Sequence, residues 1–125
     1  MSQKAQNLLL FILLTLSISC NNSDVIEPAP GLEYPVAAFS YTGNDGPAPV
    51  NIQFTNYSET IIEDYCTYTW TFGENGATSD EKNPVHTFYN NSASTISVLV
   101  TLKVLDLESN LSQSRSIPIE ILPAE

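Results

Sequence analysis

The side chains able to do chemistry are few. There is one histidine, His86, and there are two cysteines, Cys20 and Cys66. Nucleophilic hydrolysis needs a base within hydrogen-bond reach of a nucleophile, and a third group to orient that base. Ser79 and Ser92 lie near His86 in the chain, but neither sits in a glycine-flanked nucleophile turn. Calcium would need about six to eight converging oxygens. The loop carboxylates Asp45, Glu63, Asp64, Glu74, Asp80 and Glu81 have no calcium-loop spacing, and Asn44-Asp45-Gly46 reads more simply as a turn. One histidine and one core-facing cysteine do not make a zinc set. The residues therefore predict no catalytic constellation, no metal centre and no cofactor.

Cys20 is different because of what precedes it. Residues 1–20 read MSQKAQNLLLFILLTLSISC, a polar start with Lys4, an apolar run from Leu8 to Leu14, and small residues before the cysteine. A run this short does not make a permanent bilayer span. It has the form of a signal peptide, residues 1–19, to be excluded from the fold. The ending Leu16-Ser17-Ile18-Ser19-Cys20 resembles a bacterial lipobox, with Ser17 where leucine is usual. That resemblance implies cleavage before Cys20, acylation of its thiol and new amino group, and a membrane as first partner. Two or more acyl chains give stable anchoring where one gives only marginal binding. Asn21 stands where an aspartate would favour inner-membrane retention, so the resemblance favours the outer membrane.

Residues 20–34 contain Pro28, Pro30 and Gly31, with no apolar periodicity. They read as a tether that could hold a domain up to roughly 40 Å from the membrane, at about 3 Å per residue.

From Pro35 the pattern changes to period two. Ala37, Phe39 and Tyr41 alternate with residues of a second, mostly polar face. So do Val50, Ile52 and Phe54, then Cys66, Tyr68, Trp70 and Phe72, then Val98, Val100, Leu102 and Val104, and finally Ile117, Ile119 and Ile121. Half-buried antiparallel strands give this pattern. Clusters rich in glycine, asparagine and serine separate them. Several short strands between turns predict a β-sandwich, with Trp70 spanning the gap between sheets. Pro118 assigns the last strand to an edge. The strand from Ile96 also carries Leu99, Leu105 and Leu107 on its second face, a candidate partner surface, as are the tyrosines Tyr57, Tyr65 and Tyr89. Asn56-Tyr57-Ser58 has the form of a glycosylation sequon.

The run Tyr68-Thr69-Trp70-Thr71-Phe72-Gly73-Glu74-Asn75-Gly76, followed by Asn83-Pro84-Val85-His86-Thr87-Phe88-Tyr89, resembles the PKD domain family. Its motif is Y-x-W-D-F-G-D-G and then N-P-x-H-x-Y. Trp70, Phe72, Gly73, Gly76, Asn83, Pro84 and His86 match. Thr71 replaces the usual aspartate, and the glycine turn is one residue longer. The likeness covers about residues 35–122. It implies an all-β, immunoglobulin-like, seven-stranded antiparallel sandwich used as a binding module or spacer and not as an enzyme. It also implies that His86 is structural.

Charge narrows the partners. All 14 acidic residues follow position 19, against Lys82, Lys103 and Arg115. Such a surface repels nucleic-acid phosphates and anionic headgroups. At 125 residues the chain fits one small domain. The expected partner beyond the membrane is an envelope protein or a glycan. The alternative is a spacer or small subunit of an envelope assembly.

Overall fold

The alternating segments form strands, and the computed structural model describes residues 35–73 and 75–125. The expected signal peptide, Cys20, the tether and Glu74 lie outside the described residues. In chain order the strands are β1 (Phe39–Thr42), β2 (Val50–Asn56), β3 (Cys66–Thr71), β4 (Thr78–Ser79), β5 (Val85–Phe88), β6 (Ile96–Asp106) and β7 (Ser112–Ile121). A single 3-10 turn, Glu63–Tyr65, precedes β3. No helix among the described residues is long and apolar enough to cross a membrane.

The fold is all-β, with two antiparallel sheets. One has the order β1-β2-β5 and the other β4-β3-β6-β7. Period-two burial makes both sheets two-faced. On β2, Val50, Ile52 and Phe54 are buried and Asn51 and Gln53 are exposed. On β6 the inward set is Val98, Val100, Leu102, Val104 and Asp106. The inward faces share one core. Phe39 of β1 and Phe54 of β2 meet Trp70 of β3 with ring centroids 5.0 and 5.4 Å apart, so the indole joins the two sheets. Edge and tilted arrangements of this kind suit the ring quadrupoles.

Pro118 sits on β7, at the edge of the four-stranded sheet, opposite Leu99, where a missing donor is tolerated. β7 begins at Ser112, well before the apolar residues that marked it in the sequence. Its polar first half pairs with β6, Ser112 facing Leu105 and Ser114 facing Lys103. Polar ties hold the ends. Gln113 Oε1 accepts the Ala37 N–H at 2.7 Å, linking β7 to the chain entering β1. Buried Asn90 donates from Nδ2 to Ser94 O and Ile121 O and accepts at Oδ1 from Ser92. A buried amide with this many partners fixes the β5–β6 loop without a desolvation deficit.

Candidate functional site

The family-like motif residues all turn inward or hold turns. Trp70 donates its indole N–H to Glu81 O at 2.9 Å, pinning the loop between β4 and β5. Asn83 Oδ1 accepts the Asn56 N–H at 2.8 Å, and Phe54 N–H donates to Pro84 O at 2.9 Å. These bonds carry β2 past the start of β5. Pro84 is fully buried. His86 stacks on Phe72 at 4.1 Å, nearly parallel, and meets Phe88 edge-on at 4.6 Å. Its imidazole is thus held between aromatic rings. Gly73 has φ +67°, and a Cβ there would stand 2.5 Å from Leu99 O, so the turn after β3 requires glycine.

The same pinned loop helps to build a polar hollow of about 80 Å³. It is lined by Asn56, Ser58 and Thr60 from the end of β2 and the loop after it, by Glu63 and Tyr68 around the start of β3, and by Lys82 from the β4–β5 loop. Lys82 Nζ pairs with Glu63 Oε1. The hydrogen bond to Glu63 holds the Lys82 ammonium above its ordinary pKa. Burial first, and the Glu63 carboxylate second, push the Tyr68 phenol up. The wall therefore offers the Lys82–Glu63 ion pair, the Tyr68 phenol and two aliphatic hydroxyls. The residues Tyr57, Ile61, Ile62 and Tyr65 lie in the same stretch of chain, and all four are exposed.

Asn56 belongs to this wall, and its geometry bears on the sequon. Its Oδ1 accepts the Ser58 N–H at 2.9 Å. Its Nδ2 is closed to solvent and lacks a hydrogen-bond partner. The atom a glycan would be attached to is therefore inaccessible.

The remaining candidates are scattered. Tyr57, Tyr65 and Tyr89 are 63%, 53% and 59% exposed. Leu99 is exposed on the outer face of β6, and Leu105 on that face is half-buried. Leu107 is exposed but lies past the end of β6, in the turn to β7, so the three leucines do not form one strand face. Among the described residues no group of three or more histidine, cysteine, aspartate or glutamate side chains could hold a metal. Cys66 is half-buried, its thiol pushed up chiefly by burial, with Sγ 3.6 Å from Ile62 O. A raised thiol pKa lowers the thiolate fraction and so the nucleophilicity.

No protein-family model matches the chain, and no curated protein matches it in sequence. The hollow was invisible as a unit in the sequence. Its polar residues come from three separated segments, and none carries a motif. Only the density of exposed apolar residues among polar ones between Tyr57 and Tyr65 could have pointed there.

Proposed function

We propose that the protein is a cell-envelope lipoprotein, moored through acylated Cys20 and a tether of residues 20–34. In this reading residues 35–122 are an immunoglobulin-like, PKD-like module that binds a protein or a glycan. The outer membrane is the favoured location, and the module is not an enzyme. The observation that carries the binding role is a division of labour. Trp70, Phe72, Gly73, Asn83, Pro84 and His86 are used in packing and turns, while the segment after β2, which also supplies part of a polar hollow, leaves Tyr57, Ile61, Ile62 and Tyr65 in solvent. Exposed aromatic and branched side chains next to polar groups are what a recognition loop on a rigid scaffold presents. The anchor rests on the run Leu16-Ser17-Ile18-Ser19-Cys20 after its apolar stretch.

The test has two arms. Cells fed a labelled fatty acid should label the wild-type chain and not a Cys20→Ser chain; equal labelling of both removes the anchor. Affinity capture from envelope extracts, with a glycan array alongside, should retain a specific partner, and silence in both removes the binding role. A second reading, a spacer or small subunit of an assembly, is favoured by Leu99 and Leu107, which are 54% and 57% exposed.

A further inference from the structure

We propose that the hollow between Asn56, Ser58, Thr60, Glu63, Tyr68 and Lys82 is the binding site for one uncharged sugar ring of a glycan. This rests on the binding-module reading and names its ligand class. Three observations lead to it. The first is charge. Glu63 and Lys82 pair with each other across the hollow. An anionic ligand would have to displace the carboxylate, and a cationic one the ammonium, each losing an ion pair to gain another. A neutral polyol displaces neither: its hydroxyls donate to the carboxylate and accept from the ammonium at once, and charge-assisted bonds of this kind are the stronger ones.

The second observation is size. A hollow of about 80 Å³ holds on the order of five to eight water-sized groups, at roughly 10–15 Å³ each. That matches the hydroxyl-bearing edge of one pyranose. It is well below the ~300 Å³ and more that drug-sized ligands occupy. The third is the setting. Tyr68 lines the hollow itself, beside Glu63 and Lys82, and its side chain is half-buried. Aromatic rings pack against the C–H faces of sugars while hydroxyls seek polar groups, so a polar hollow with a tyrosine in its wall suits a ring with both kinds of surface. Asn56 Nδ2 is closed to solvent and takes no part without a side-chain rotation.

The experiment uses the full lipidated chain in zwitterionic micelles, because sugar-headed detergents would compete. Saturation-transfer NMR is run with methyl glucoside, methyl galactoside, methyl mannoside and N-acetylglucosamine, and with glucuronate and glucosamine as charged counterparts. At least one neutral sugar is expected to bind with Kd on the order of 1 mM, nearly independent of salt. Lys82→Met and Glu63→Met, both at exposed positions, should each weaken it about ten-fold or more while the circular-dichroism spectrum is unchanged. Tyr68→Phe, which removes only the hydroxyl, is a third variant that preserves the packing. Binding of charged sugars alone, lost in salt, overturns the proposal. So does a neutral sugar whose affinity the three variants leave intact, although the module reading then survives. If no sugar binds but an envelope protein is captured, the hollow's assignment falls and the module stands. If neither binds, both fall.

Discussion

Asp106 shows how one side chain can set a turn and give it a pH dependence. It closes β6 with its carboxylate Oδ1 accepting the N–H groups of Glu108 at 2.8 Å and Ser109 at 3.3 Å. Those bonds favour the ionised form, the Glu108 N–H most, and hold the carboxyl below its ordinary value. A folded pKa below the unfolded one means that the native state is favoured while the group is ionised in both states. The contribution is fully present above the ordinary carboxylate range and is lost as pH falls through the folded value. Asp106→Asn keeps an acceptor oxygen but no titration. The gap in urea midpoint between wild type and variant should therefore be constant at neutral pH and shrink below about pH 4. A gap that stays the same down to strong acid would show that the carboxylate's charge does not matter to the turn. Trp70 works at the same scale through packing and one bond. Its ring lies against Phe39 and Phe54, and its N–H fixes the loop that carries Lys82.

At the scale of elements, the turn between β3 and β4 contains its own control. Gly73 and Gly76 both have positive φ, +67° and +74°, but a Cβ at Gly73 meets Leu99 O at 2.5 Å and at Gly76 meets nothing within 4 Å. Gly76→Ala should cost about 1 kcal/mol, the left-handed strain alone. Gly73→Ala adds a backbone collision, so its cost should exceed that by roughly 1–3 kcal/mol. Equal midpoints for the two variants in denaturant titrations would refute the close approach of the turn to β6. The sequence made the well-alternating elements legible: β1, β2, β3 and most of β6 were readable because each buries one face, and Pro118 gave the edge. It did not reveal β4, whose two residues, Thr78 and Ser79, lie against Trp70 and Thr71 with no apolar pattern of their own. Nor did it reveal the first half of β7, where Ser112, Ser114 and Ser116 pair along β6. Strands held by backbone pairing alone leave no trace in hydropathy. The hollow escaped for a related reason, since proximity between Ser58, Glu63 and Lys82 is created by the β2–β5 pairing and by the Trp70–Glu81 bond. The leucine run misled in part: Leu107 continues the alternation of the sequence, but the Asp106 turn takes it out of the sheet.

Across the whole molecule, charge and the outer sheet face set the remaining expectations. A net charge of −10 over the whole chain destabilises its small domain through self-repulsion. Raising salt from about 10 mM to about 150 mM shortens the screening length from roughly 30 to 8 Å, so the thermal midpoint should rise; a fall would mean that attractive pairs such as Glu63–Lys82 outweigh the repulsion. The outer face of the four-stranded sheet distinguishes the two readings of function. Along β3 it presents Thr67, Thr69 and Thr71, and along β7 Ser114 and Ser116, with exposed Leu99 on β6 among them. Leu99 lies outside the core. Polar substitutions at such exposed positions change stability by no more than about 0.5 kcal/mol. A Leu99→Ser variant should therefore unfold at the wild-type urea midpoint. If the protein is a subunit that docks through this face, the variant should lose the envelope proteins that co-purify with the wild type and keep any sugar binding at Lys82. If it is a module that binds through the β2–β3 loop, the variant should keep both. Loss of sugar binding together with an unchanged midpoint would contradict both arrangements, because Leu99 and the hollow would then have to share one ligand.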